Sequence, residues 1–121
     1  SNLETDQQKL MQIVLAGQPE LREKLNSRSL RQLRQRILVR CHLGALTYED
    51  TAQYIPYRLH VAGVRKDVGF DESAVRLVYK HAKGYPRLIN AICDLAMLAG
   101  YVAGKTVIGR TEIKNALVQM G

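Results

Sequence analysis

The sequence predicts a mostly α protein in which the tail of an α/β sheet, one or two strands long, precedes four helices. Three observations lead to this fold class. A nearly continuous apolar run lies near the start of the chain, an alternating segment follows it, and the residues after 45 have the apolar spacing of amphipathic helices. Because two strands make a poor sheet alone, we expect them to belong to a larger sheet. The chain therefore divides into a sheet tail, 1–45, and a helical domain, 46–121.

The first predicted strand is the apolar run 10–16, which ends at Gly17, Gln18 and Pro19. An apolar run of this length, bounded by turn residues, is typical of a strand that is buried on both faces, as in a parallel sheet. Pro19 suits the first position of a short helix, which we predict over 20–25.

An arginine-rich helix and a second strand are predicted next. Leu30, Leu33 and Ile37 recur at helical spacing, which leaves arginines on the rest of the helix surface. These arginines are Arg28, Arg31, Arg34 and Arg36. Residues 37–43 then alternate between apolar and polar side chains, which predicts a second strand, more exposed than the first.

Four helices are predicted after residue 45, and each has its own boundary signals. Thr47 followed by Asp50 resembles a capping box, and Asp71 and Thr111 are predicted N-caps of two later helices. A further helix begins with Pro86, because the N–H that proline lacks has no partner at that position in any case.

Arg87 occupies the first turn of the helix that Pro86 begins, where a cation opposes the helix macrodipole. A helix start with arginine in place of an acid favours an anion, because the backbone N–H groups, the dipole and the guanidinium all attract one. The alternative is a surface arginine paired with Asp94, seven residues further on the same face. The residues alone leave both interpretations open.

The composition favours an anionic partner. The 121 residues include 18 Lys and Arg against 11 Asp and Glu, a formal net charge of +7. Such a balance favours nucleotide phosphates, nucleic acid or an acidic protein surface. No apolar run approaches the length of a membrane span and nothing resembles a signal peptide, so we expect a cytoplasmic chain without a transmembrane segment. Cys41 and Cys93 lie in apolar patterns and no spacing matches a zinc site, so we predict no metal site.

Four segments together resemble the general secretion pathway protein A family, the bacterial AAA+ ATPases of secretion and MSHA-type pilus biogenesis. They are GQPEL at 17–21, LRQRI at 33–37, RCHL at 40–43 and GYPRLIN at 84–90. This family is close in sequence to the transposition ATPases. The resemblance covers essentially the whole chain, and several motifs in the same order make it more specific than any single one.

The resemblance implies an architecture and roles for individual side chains. Residues 1–45 would end the P-loop α/β core, and 46–121 would be the four-helix AAA+ lid. Gln18 would be the sensor-1 residue, which orients the γ-phosphate and the attacking water. Arg34 or Arg36 would be the arginine finger that reaches the ATP site of a neighbouring subunit. The alternative for these arginines is a solvated helix face.

Arg87 would be the sensor-2 arginine, which contacts the β- and γ-phosphates and reports the nucleotide state by moving the lid. The implied function is the sensor and lid portion of an ATPase that couples ATP binding and hydrolysis to assembly of a secretion or pilus apparatus, type II secretion among them. The implied partners are other subunits of the same ATPase and components of that apparatus. The intact protein would be cytoplasmic or attached to the inner membrane.

One departure from the family concerns the phosphate loop. Neither the Gly-x-x-x-x-Gly-Lys-[Ser/Thr] loop nor the acidic Mg²⁺-binding strand occurs in the 121 residues, and we expect both before Ser1. The intact protein would use ATP with Mg²⁺. We expect the fragment alone neither to hydrolyse ATP nor to bind it tightly.

Two other interpretations stay open. A basic helical DNA-binding module of a transposition-type ATPase would use the net charge and the arginine cluster, since phosphate contacts dominate non-specific DNA affinity. The low aromatic content and the lack of a clear recognition helix count against it. The other interpretation is a lid that mediates ring assembly and has no chemical role of its own.

Overall fold

The computed structural model describes residues 27–121, which form five helices and two short strands. In chain order these are α1 (Ser27–Leu43), α2 (Tyr48–Val61), β1 (Gly69–Phe70), α3 (Glu72–Ala82), α4 (Pro86–Val102), β2 (Val107–Ile108) and α5 (Arg110–Met120). The mostly α fold class is confirmed. The strand predicted over 10–16 and the adjacent Gln18 lie outside the described residues.

The strand predicted over residues 37–43 is wrong, because this segment continues helix α1. Ile37 is fully buried, and Cys41, one helical turn further, packs against the core. A strand face would have placed Val39 and Leu43 on the same side as Ile37, yet they are 59 % and 72 % exposed. The four-residue spacing of the buried side chains therefore decides the structure, and the local alternation does not.

The two strands pair in parallel, with Gly69 beside Val107 and Phe70 beside Ile108. Their hydrogen bonds connect the segment that precedes α3 with the segment that precedes α5. Neither strand was predicted, because two residues are too short to show a recognisable alternation.

The predicted starts of α2, α3 and α4 are confirmed. Thr47 Oγ1 accepts a hydrogen bond of 3.1 Å from the Asp50 N–H, and the Asp71 carboxylate accepts one of 2.8 Å from the Ala74 N–H. Pro86 is the first residue of α4. These helix boundaries follow from side chains that act within one turn of the chain.

The N-cap predicted at Thr111 is wrong. Helix α5 begins at Arg110, and Gly109 is its N-cap. The side chain of Glu112 takes the capping role, since its Oε1 accepts a hydrogen bond of 2.8 Å from the Gly109 N–H. The other carboxylate oxygen lies 3.2 Å from Lys105 Nζ. A glutamate three residues after the N-cap therefore replaces the predicted threonine.

Every helix contributes side chains to one hydrophobic core, and α4 and α5 pack most closely. Its most buried members include Ile37, Tyr54, Ile55, Val78, Ile89, Ile92, Ile108 and Ile113. Each such aliphatic side chain contributes roughly 1.5–3 kcal/mol on burial. Because Leu33 and Ile37 belong to this core, α1 is anchored to the helices that follow it. None of the helices within 27–121 combines the length and the apolar character that a membrane span requires.

Candidate functional site

Helices α2 and α4 run in the same direction, and two side-chain hydrogen bonds set their register. Tyr54 Oη donates to Asn90 Oδ1 at 2.7 Å, and one turn further Arg58 Nη2 donates to Asp94 Oδ2 at 2.8 Å. In both pairs the acceptor lies 36 residues after the donor. Asp50, one turn before Tyr54, is therefore level with the start of α4.

The start of α4 is also bound to the linker between α1 and α2. The Leu46 N–H donates to the Gly84 carbonyl oxygen at 2.7 Å. Gly84 has a φ of +84°, and a Cβ at this residue would lie 1.9 Å from the Leu46 carbonyl oxygen. Both the backbone angle and the close approach therefore require glycine. This contact fixes the turn before Pro86 beside the linker that follows α1.

Arg87 is exposed in the first turn of α4. Its guanidinium forms no hydrogen bond or ion pair with any residue of 27–121. Tyr85, the N-cap, supplies no side-chain hydrogen bond, and the first turn contains no acid. A helix start of this kind keeps its positive end uncompensated, so the position suits an anionic group.

The alternative pairing of Arg87 with Asp94 is not what the structure shows. Asp94 accepts its hydrogen bond from Arg58, whose side chain is buried. The Nε and Nη1 atoms of Arg58 have no hydrogen-bond partner in the described part of the chain. Since a buried charge is costly without a partner, Asp94 stays with Arg58, and Arg87 has no partner in the described part of the chain.

Arg36 and Arg40, one turn apart on α1, share the carboxylate of Asp50. The Arg36 Nε lies 3.2 Å from Asp50 Oδ1, and the Arg40 Nε lies 3.4 Å from Asp50 Oδ2. Arg36 Nη2 also donates a hydrogen bond to Gln53 Oε1. The Asp50 side chain is 7 % exposed, whereas those of Arg36 and Arg40 are 48 % and 45 % exposed. Two positive charges thus meet one buried negative charge.

Arg34 lies apart from this cluster and is partly buried. Burial raises the pKa of the Tyr57 hydroxyl to about 12, and the positive charge of nearby Arg34 opposes that rise. Among residues 27–121, Arg34 has no hydrogen bond or ion pair. The structure therefore separates the two candidate arginine fingers: Arg36 is oriented by a carboxylate and an amide, and Arg34 is not.

Sequence reasoning gave Asp50 only a capping role and gave Arg40 and Arg58 no role. The one available signal was the four-residue spacing of Arg36 and Arg40, which lets two side chains of a helix share a partner. The acid that serves as this partner comes from another helix, and no local pattern identifies it.

Within the described residues, the acidic, histidine and cysteine side chains do not gather into a metal site or an activated thiol. No three His, Cys, Asp or Glu side chains of residues 27–121 lie together as metal ligands would. Burial raises the pKa of the free thiol of Cys41 to about 11 and that of Cys93 to about 12. Both thiols are therefore protonated, and weak nucleophiles, at neutral pH.

These features define a helical module with an exposed arginine at an acid-free helix start and a pair of arginines around the buried Asp50. No family model matches the chain, and no solved structure matches it. The chain is similar to the General secretion pathway protein A of Aeromonas hydrophila, with 42 % identity over 120 residues. The matched region covers 99 % of this chain but 22 % of that relative, so the chain spans about a fifth of the relative's length. The similarity supports the family that the four sequence segments indicated.

Proposed function

We propose that this chain is the sensor and lid portion of an AAA+ ATPase that couples ATP binding and hydrolysis to assembly of a secretion or pilus apparatus. Arg87 carries the proposal, because it is exposed, without a partner in the described residues, and placed at a helix start that contains no acid. The similarity to General secretion pathway protein A supports the secretion context.

In this proposal Arg87 binds the β- and γ-phosphates of ATP. Its guanidinium is permanently charged and planar, which suits contacts to two phosphate oxygens at once. Helix α4 is bound to α2 through Asn90 and Asp94 and to the linker through Gly84. A displacement of Arg87 on loss of the γ-phosphate would therefore move these elements together, as a sensor requires.

The other parts of the proposed ATP site come from elsewhere. Gln18, the proposed sensor-1 residue, lies outside the described residues. The phosphate loop, the Mg²⁺-binding acid and the neighbouring subunits would belong to the intact ATPase. Arg34 or Arg36 would serve the ATP site of the next subunit.

A comparison of ATP and ADP affinities tests the sensor role. In the intact ATPase, we expect Arg87→Ala to weaken ATP binding roughly tenfold more than ADP binding, because only ATP has the γ-phosphate. Arg76→Ala is the matched control, since Arg76 is an exposed arginine that pairs with Glu72 within α3. Equal weakening of ATP and ADP would contradict a γ-phosphate sensor.

DNA binding is a second candidate function, and the exposed Arg28 and Arg31 on α1 favour it. Contacts between exposed arginines and DNA phosphates give an affinity that falls steeply as the salt concentration rises. A titration with duplex DNA at about 50 mM and about 200 mM salt tests this function, because phosphate contacts should make the affinity much lower at the higher salt concentration. Absence of binding at the lower salt concentration would remove the candidate.

A further inference from the structure

We propose that Arg36 and Arg40 together form a phosphate clamp that Asp50 orients, and that this pair, not Arg34, receives the nucleotide phosphates of a neighbouring subunit. The inference rests on the proposed function for the identity of the nucleotide. It adds Arg40 as a second binding residue and Asp50 as the positioning residue for both arginines.

The donor geometry leaves both guanidinium groups available. A guanidinium carries five N–H donors, and each of these two turns its Nε toward Asp50, at 3.2 Å for Arg36 and 3.4 Å for Arg40. Gln53 Oε1 accepts from Nη2 of Arg36. The Nη1 group of Arg36 and both terminal nitrogens of Arg40 donate no hydrogen bond within residues 27–121, so they are available to an anion.

The charge of the cluster also favours an anion. The buried Asp50 neutralises one of the two arginines, so one positive charge stays unbalanced on side chains that are 48 % and 45 % exposed. Asp50 Oδ2 accepts no hydrogen bond from the described residues, although Arg40 lies close enough for an ion pair. Asp50 thus holds the Nε side of Arg40 by charge, and the terminal nitrogens of Arg40 stay available to a ligand.

The position on α1 separates this pair from Arg34. Residues four apart lie on the same helix face, whereas residues two apart do not. Arg34 therefore projects from a different face than Arg36 and Arg40. Because Asp50 is level with the start of α4, the clamp lies at the same end of the α2 and α4 pair as Arg87.

The test is calorimetric titration of the chain with inorganic tripolyphosphate at low salt. The titrations use an Arg87→Ala background, which removes the other proposed phosphate contact. We expect binding to persist in this background and to weaken roughly tenfold in Arg36→Lys and in Arg40→Lys, because lysine keeps the charge but loses the planar fork. Arg76→Lys is the control and should bind as its parent does.

Three results would overturn the clamp. The first is equal affinity in the Arg40→Lys and Arg76→Lys chains, and the second is a loss confined to Arg34→Lys. The third is complete loss of binding in Arg87→Ala alone, which would leave the proposed sensor intact. Circular dichroism of each variant confirms that the helices form, so lost affinity cannot come from unfolding.

A turnover measurement distinguishes a role of Asp50 in positioning the two arginines from a role in stabilising the fold. In the intact ATPase, Asp50→Asn should lower kcat with little change in KM for ATP, because the misplaced arginines act on the site of another subunit. A rise in KM with unchanged kcat would contradict the positioning role of Asp50.

Discussion

The Leu46 N–H donates a hydrogen bond of 2.7 Å to the Gly84 carbonyl oxygen, and this bond places the linker after α1 against the turn that begins α4. The two arginine sites belong to the elements on either side of this contact. Arg36 lies on α1, before the linker, and Arg87 lies in the first turn of α4.

This contact makes Gly84 the least tolerant of a side chain among the glycines of residues 27–121. We expect Gly84→Ala to lower the free energy of unfolding by about 3 kcal/mol, because a Cβ would collide with the Leu46 carbonyl and the φ of +84° is strained for alanine. Gly104→Ala is the control, since Gly104 has a φ of +70° but no atom within 4 Å of a Cβ. Its expected loss is about 1 kcal/mol. Equal losses in urea denaturation would show that the close approach is unimportant.

Asp94 is expected to stabilise the fold through Arg58 and not through Arg87. Asp94→Ala leaves the buried Arg58 without its carboxylate, so we expect the free energy of unfolding to fall by about 2 kcal/mol. This loss is smaller than for a fully buried pair, because the Asp94 side chain is 62 % exposed. Asp67→Ala breaks the exposed pair with Arg65 and should cost no more than about 0.5 kcal/mol. Thermal or urea unfolding compares the two variants. A smaller loss in Asp94→Ala than in Asp67→Ala would contradict the assignment.

The stability of the fold should fall in acid partly through Glu112. The hydrogen bond from the Gly109 N–H, with help from Lys105, holds the pKa of Glu112 below its ordinary value of 4.5 against the effect of burial. This contribution is therefore complete above about pH 4.5 and is lost as the pH falls through the lower pKa of the folded chain. Glu112→Gln should lower stability more at neutral pH than in acid. A difference independent of pH would refute this linkage, and Glu49→Gln is the exposed control.

The cluster around Asp50 should hold α1 against α2. We expect Asp50→Asn to lower the free energy of unfolding by about 1–2 kcal/mol, since two arginines lose their shared carboxylate while staying partly solvated. Hydrogen exchange measures the effect locally. In Asp50→Asn, the exchange rates of the α1 amides should rise above those of the parent chain by more than the rates of the α5 amides. Uniform acceleration in both helices would mean that Asp50 acts on the whole fold.

Local signals in the sequence predicted the starts of α2, α3 and α4 but not the connections between helices. Thr47, Asp71 and Pro86 act within one turn, so their roles could be predicted from the neighbouring residues. Residues 37–43 alternate by chance, and burial against distant helices overrides that alternation. The fold class was therefore predictable, although the last turns of α1 and the two short strands were not.

The candidate site also has a part that local sequence signals predict and a part that depends on contacts between helices. Arg87 could be identified because its anomaly, a cation in a first helical turn, is visible in a few consecutive residues. The partners of Arg36 and Asp94 come from α2, and such contacts between helices have no sequence signature. Arg34 and Arg36 were equivalent in the sequence. In the structure Asp50 and Gln53 contact Arg36, whereas Arg34 is partly buried near Tyr57.

Steady-state ATP turnover by the intact protein that we propose to be an ATPase, with Arg87→Ala as its one change, tests the central claim most directly. If Arg87 binds the phosphates, kcat should fall on the order of 10²-fold, the usual cost of removing one donor to developing charge, while Arg76→Ala keeps the parent rate. Unchanged turnover in Arg87→Ala would contradict the sensor assignment.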